Sequence, residues 1–157
     1  MRVDILRPAE LDAGLIARWR ALQRSAIELR GPFHAPEFTL AVAAARADAR
    51  VAVVEQGGAV AAFLPFHAKR LGVASPIGAQ ISDYHGPVAD PAFAPEPAAL
   101  LRAAGLAAYD FNHGLRAQPM LRAGAYAHAV SPAIDLTGGF DGWREQRQSA
   151  NRKWVQG

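Results

Sequence analysis

The chain has no cysteine, which excludes disulfides, a thiolate nucleophile and cysteine-based zinc sites together. Stability must therefore come from packing. Long apolar runs are also missing: no uninterrupted apolar segment approaches the roughly 18 residues needed to cross a bilayer. The start, Met1-Arg-Val-Asp-Ile5, has no apolar stretch behind its basic residue, which argues against a secretory signal. A cytoplasmic protein without a transmembrane segment is expected. The histidines His34, His67, His85, His113 and His128 never fall at the i, i+4 spacing that puts two imidazoles on one helical face, so no metal site is expected from spacing. Strong charge of one sign is absent too. Seventeen Lys plus Arg face 14 Asp plus Glu, for a net +3. Only Arg144, Arg147, Arg152 and Lys153 gather into a basic stretch, whereas a nucleic-acid binder concentrates its positive charge in a stripe; nucleic acid is not the expected partner.

What is there is 157 residues, 51% of them hydrophobic, enough for one domain and one core. Val3-Asp-Ile-Leu6 reads as a short strand. From Glu10 to about Leu29 the apolar positions Leu11, Leu15, Trp19, Leu22, Ala26 and Leu29 advance in steps of three and four, predicting one amphipathic helix. Arg30-Gly-Pro32 stops it, and Pro36 suits the first turn of a second helix with Phe38, Ala41, Val42 and Ala45 on one face. Val51–Val54 and Ala59–His67 are β-compatible and separated by Glu55-Gln-Gly-Gly58, so an antiparallel hairpin is predicted. Both faces of its second strand look covered, and Pro65 withholds a ladder donor, which implies an edge position or a bulge.

Leu71–Pro91, rich in Gly and Pro, predicts irregular structure with one short strand. A loop of that length in a compact domain calls for a packing or functional reason. A helix over Pro95–Leu106, a strand over Ala107–Phe111 and a short helix over Pro119–Ala123 follow. Tyr126–Val130 and Pro132–Leu136 give weak strand signals, and Thr137–Phe140 introduces a last helix with Trp143 and Trp154 on its apolar aspect. The fold class is α/β (α+β), a mixed sheet with a central antiparallel hairpin flanked by helices.

Ser82-Asp-Tyr-His-Gly-Pro87 sets an acid, a phenol and an imidazole beside a backbone break. Asp83 can orient His85, and His85 can accept a proton near neutral pH. In the plainer reading Asp83 bonds turn amides and Tyr84 packs. Tyr109-Asp-Phe-Asn-His113 places Asn112 and His113 at the C-terminal end of a strand, where α/β proteins display functional groups, although a turn accounts for Asn112 equally well. His85, Tyr84 and His113 are thus the candidate catalytic residues, and Asp83 and Asn112 the candidate substrate-binding ones. Arg102-Ala-Ala-Gly-Leu-Ala107 fits the Arg/Gln-x-x-Gly-x-Gly/Ala string by which GNAT transferases hold a pyrophosphate. Here it closes a helix, where carbonyls rather than amides are exposed. No residue is assigned to cofactor binding.

Pro32-Phe-His-Ala-Pro-Glu-Phe38, Ala61-Ala-Phe-Leu-Pro-Phe66, Ser82–Pro87, Tyr109-Asp-Phe111, Ile134-Asp-Leu136, Trp143 and the basic stretch to Lys153 follow one another in an order that resembles the N-terminal region of the CelD/BcsL-type acetyltransferase-like proteins. These are a GNAT branch associated with cellulose and exopolysaccharide biosynthesis and similar to FemAB proteins. The resemblance implies a GNAT-like lobe over residues 1–157, with 138–157 starting a linker helix to a second GNAT-like lobe not contained in this sequence. It implies acyl transfer from acetyl-CoA or another acyl-CoA to an amine or a sugar hydroxyl by the longer protein, with a small-molecule or saccharide substrate. It transfers no catalytic residue to this chain. Two alternatives stay open: a noncatalytic lobe that shapes a substrate cleft or packs on a partner domain, and a basic nucleic-acid-binding module.

Overall fold

A computed structural model describes residues 1–132 and 134–150. The chain divides into two compact units, Met1–Ala125 and Tyr126–Gly157.

The first unit is organised by a hairpin. Strand β1 (Arg2–Leu6) pairs antiparallel with β2 (Ala49–Gln56), which pairs antiparallel with β3 (Ala59–Ala68). The β2–β3 turn is Gly57-Gly58, with φ of +61° and +81°, the two successive positive values of the tight hairpin turn whose twist matches the strands it joins. A register shift at Val54/Glu55 leaves Ala61 as an extra residue on β3. Beyond it the side chains of both strands alternate between two buried faces. Val51, Val53 and Phe63 point to the side covered by helix α1 (Ala13–Ser25), where Trp19 stacks on Phe63 with ring centroids 4.7 Å apart. Val54 and Ala62 point to the other side, with Leu100 of α3 (Pro97–Ala103), and Ala52, Leu64 and Phe66 pack there with Ala74.

The far edge of β3 is discontinuous. Strand β4 (Val73–Pro76) pairs with Phe66–Ala68, and β5 (Val88–Ala89) pairs with Ala62–Phe63. Leu64 and Pro65 fall between them. Strand β6 (Ala108–Tyr109) adds to β4 in parallel, making a mixed α/β architecture with a six-stranded mixed sheet. Residues 77–87 leave the sheet after β4 and return to it at β5.

Several elements differ from the sequence expectation. The first helix is shorter than Glu10–Leu29: Asp12 caps it by accepting from Leu15 N–H at 2.7 Å, Ala26 is extended, and separate 3₁₀ turns occupy Pro8–Glu10 and Ile27–Leu29. Helix α2 (Pro36–Ala45) buries Pro36, Thr39 and Val42, while Ala41 and Ala45 are exposed. Two alanines offer little apolar area, so the larger Val42 and the methyl of Thr39 set the buried face. Leu71–Pro91 contains two short strands rather than one.

In the second unit, 126–132 and 134–136 form no strand. Tyr126, Val130, Ile134 and Leu136 are exposed, so no buried face exists to fix an alternating pattern. After the one-turn α4 (Pro119–Arg122) of the first unit, helix α5 (Gly139–Ala150) contains no buried residue. Trp154, Arg152 and Lys153 lie outside the described residues.

Candidate functional site

The excursion 77–87 is fixed by its own backbone and by the segment that follows β6. Gly114 forms a parallel bridge with His85. His85 N–H donates to the His113 carbonyl at 2.9 Å, and His113 N–H donates to His85 Nδ1 at 3.3 Å. An Nδ1 that accepts leaves the ring proton on Nε2, which lies 3.1 Å from the Ser82 carbonyl and donates to it. Both ring nitrogens of His85 are therefore committed to backbone. Backbone rather than the Asp83 carboxylate orients this ring. Burial lowers its pKa, and the neighbouring His113 pushes the same way; the Ala79 and Ser82 carbonyls and Asp83 oppose them. Gly86 follows with φ +131°. A side chain there would run into Gln118 and come 2.8 Å from Leu121 Cδ1.

The other expected residues differ in depth. Tyr84 is half-buried, whereas Asp83, Asn112 and His113 are exposed. The His113 and His85 rings lie 5.5 Å apart, centroid to centroid. Tyr84 stacks against His34, centroids 6.5 Å apart. His34 is the member that sequence reasoning missed. It ends a 3₁₀ turn, Pro32–His34, and is 2% exposed. Its carbonyl accepts from Trp19 Nε1 at 2.8 Å, while neither ring nitrogen has a hydrogen-bond partner. Burial, with His85 nearby, lowers its pKa to about 4, so at neutral pH it is an uncharged imidazole. The available signal was local: Pro32 and Pro36 bracket the residue and hold its backbone.

A third histidine secures the start of the excursion. His67, near the end of β3, is buried. Its Nδ1 is 3.1 Å from Asp48 Oδ1, and its Nε2 accepts from Gly78 N–H at 3.1 Å. The Arg46 guanidinium, more than His67, holds the Asp48 carboxyl down at a pKa of about 2.

The residues that follow the bridge in each segment, Pro87 and Leu115, line a cleft of about 240 Å³ whose lining includes none of Asp83, Tyr84, His85, Asn112 or His113. Leu29, Pro87, Phe93, Leu115 and Met120 supply apolar walls, Glu28 and Asp90 carboxylates, and Gln118 an amide. Gln118 Nε2 donates to the Pro87 carbonyl at 2.6 Å, while its buried Oε1 has no partner.

Arg102–Ala107 ends α3: Gly105 N–H donates to the Arg102 carbonyl at 3.1 Å and Leu106 N–H to the Leu101 carbonyl at 2.8 Å. This is a Schellman terminus, which presents carbonyl oxygens rather than a seat for phosphate. In α5, Arg144 pairs with Asp141 at 3.1 Å. Its described part carries Arg144 and Arg147 against Asp141 and Glu145, a mixed face rather than a basic stripe. Among the described residues no helix is long and apolar enough to cross a membrane, and no group of three or more His, Asp or Glu side chains converges as metal ligands would. No family model, curated protein or solved structure matches the chain.

Proposed function

We propose that this chain is the N-terminal part of a GNAT-like acyltransferase, in which it shapes the acceptor side of the cleft while a second lobe holds most of the acyl-CoA. One observation carries the reading. The segments bearing Tyr84-His85 and Asn112-His113 are joined by backbone bonds, and their continuations through Pro87 and Leu115 wall the same cleft. The resemblance to the CelD/BcsL-type proteins supplies the reaction class. The carboxylates Glu28 and Asp90, with no basic residue lining the cleft, favour an amine acceptor over a sugar hydroxyl.

In such a transfer the acceptor nitrogen forms a bond to the thioester carbonyl carbon, the carbon–sulfur bond breaks, and the proton lost by the nitrogen ends on the departing thiolate. His113, whose ring nitrogens make no hydrogen bond to a described residue, is the base. Tyr84 is the proton donor, and His85 positions the backbone between them. Asp83 and Asn112, exposed on the two joined segments and outside the cleft lining, are the candidate acceptor contacts at its approach.

Calorimetric titration of the 157-residue chain with primary amines and with acetyl-CoA tests this reading. It expects an amine to bind in the cleft and acyl-CoA turnover only when a second lobe is supplied. Full-rate turnover by these residues alone, or coenzyme A held entirely within them, overturns it.

A second reading, a noncatalytic packing lobe, draws on the second unit. Tyr126 (96% exposed), Val130, Leu136 and Phe140 leave its apolar side chains in solvent, as a surface awaiting a partner domain would. Replacing Tyr126 and Phe140 by serine should then abolish association with a separately supplied second lobe without altering amine binding.

A further inference from the structure

We infer that the excursion 77–87 is a pH-released segment, clamped through three buried histidines to β3, to the Pro32–His34 turn and to the 111–120 segment, and freed on acidification before the β1–β2–β3 core unfolds. Three contacts, each from a different part of the chain, converge on these residues. At the start, His67 Nε2 accepts Gly78 N–H at 3.1 Å. In the middle, Tyr84 lies against the ring of His34. At the end, His85 Nδ1 accepts His113 N–H at 3.3 Å, tying the excursion to the 111–120 segment.

The two hydrogen bonds each require an unprotonated ring nitrogen as acceptor, and the His34 ring has no partner for an added proton. An imidazolium has two donors and no acceptor. Protonating His67 would leave its Asp48 bond in place and set a second N–H against the Gly78 amide. Protonating His85 would preserve the Nε2 bond to Ser82 and set Nδ1–H against the His113 amide. Protonating His34 would bury a charge beside His85 with no partner at either ring nitrogen.

The charged and titratable groups facing the clamps do not cancel this. Asp48, backed by Arg46, faces His67 on the side away from Gly78. His85 faces His113, His34 and Asp83, of which only the exposed Asp83 carries negative charge. His34 faces His85 and the phenol of Tyr84. Protonation at one of His34 and His85 opposes protonation at the other until the segment moves apart, so opening relieves both.

Release is local because the remaining ties of 77–87 are few: Ile77 packs with Val42 and Ala49, His85 N–H bonds the His113 carbonyl, and Gln118 Nε2 bonds the Pro87 carbonyl. β5 contributes two residues, and Pro65 offers the excursion no amide. By contrast, β2 and β3 pair along their full lengths. Because the segment carries Asp83, Tyr84 and His85, its opening would dismantle the candidate site; the clamp itself does not depend on the acyl-transfer reading.

Amide hydrogen exchange, corrected for the intrinsic effect of pH, tests the device. On lowering the pH from about 7 to about 5, protection at Gly78, His85 and His113 should fall by about tenfold or more, while Val51–Val54 and Ala62–Leu64 keep theirs. His67→Gln supplies a non-titrating acceptor for Gly78, and His34→Phe keeps a neutral ring against Tyr84. Each should diminish the acid response of the excursion, and His128→Gln, at an exposed histidine of the second unit, should not. If a histidine variant loses core protection at neutral pH, the wild-type profile alone decides. Simultaneous loss of protection in excursion and core, or an unchanged response in folded His67→Gln and His34→Phe proteins, would overturn the inference.

Discussion

Strand β3 has two edges built on different principles. Toward β2 it pairs along its full length, and the alternation of Val51, Val53 and Phe63 against Ala52, Val54 and Ala62 buries two apolar faces. Toward the other side it has two short partners with a gap between them, and the chain that leaves through this gap is anchored by Ile77 against Val42 and Ala49 and is otherwise held by imidazoles, main-chain groups and the Gln118 amide. The first edge is fixed by area, a nonspecific quantity spread over many residues. The second is fixed by a few directional bonds, of which those accepted by His67 Nε2 and His85 Nδ1 need an unprotonated ring nitrogen. A molecule can thus carry a rigid half and a titratable half on opposite sides of one strand.

The largest effect belongs to the rigid edge. Phe63→Ala removes the ring stacked on Trp19 at the centre of the main core cluster and should cost about 3–5 kcal/mol in urea unfolding, at any pH. Equal loss from an Ala substitution at exposed Ile81 would collapse the distinction between the edges. Next comes Gly86→Ala, at φ +131° with Gln118 and Leu121 in the way. Backbone strain and overpacking should together cost about 2–4 kcal/mol, and the loss should appear first in exchange at His85 and His113.

The titratable edge makes a signed prediction. His34 has a folded-state pKa of about 4, against about 6.5 for an unperturbed histidine. The unfolded chain therefore binds the proton more readily. The stability that His34 contributes in its neutral form is complete above about pH 6.5 and is lost as the pH falls toward about 4, by about 2 kcal/mol at pH 5. The lowered pKa of His85 acts in the same direction. His34→Phe should flatten the decline in urea midpoint between neutral pH and pH 5. An equally steep decline in the variant would remove His34 from the account.

How much was legible in the sequence follows the same division. Gly57-Gly58 between two alternating segments specified the hairpin, since both the turn chemistry and the period are local. The buried stripe of α2 differs from the apolar positions Phe38, Ala41, Val42 and Ala45 because it runs through Thr39, a hydroxyl-bearing residue that apolar periodicity does not mark. The long helix expected over Glu10–Leu29 is interrupted by a cap at Asp12 and an extended Ala26, features that periodicity does not see. His85 and His113 could be singled out by residue type, but their mutual bonds join residues 28 positions apart and leave no pattern. His34 carried no side-chain signal at all, because its role comes from Trp19, Tyr84 and His85 arriving from elsewhere.

The smallest effect is the most discriminating, because it compares the two edges at adjacent residues. Ala68 N–H donates to the Asp48 carbonyl at 2.9 Å, so the backbone groups of Ala68 face β2. Lys69 N–H donates to the Val73 carbonyl at 2.8 Å, and the Ala61 carbonyl accepts from Asp90 N–H at 3.0 Å; both of these face the broken edge. Alternation along β3 then turns the nitrogen of Pro65 to the broken edge, where neither β4 nor β5 pairs with it, and turns Leu64 N–H into the β2 ladder. The proline expected to mark an edge marks only one side of an otherwise central strand. Pro65→Val should therefore change stability by less than about 1 kcal/mol, because no ladder bond was missing there and only the stiffness of the unfolded chain is altered. Leu64→Pro, one residue away, deletes a bond of the continuous edge and crowds a buried position; it should cost about 3 kcal/mol or more. Urea midpoints of the two variants, measured side by side, decide whether β3 has one strong edge and one conditional edge or two equivalent ones.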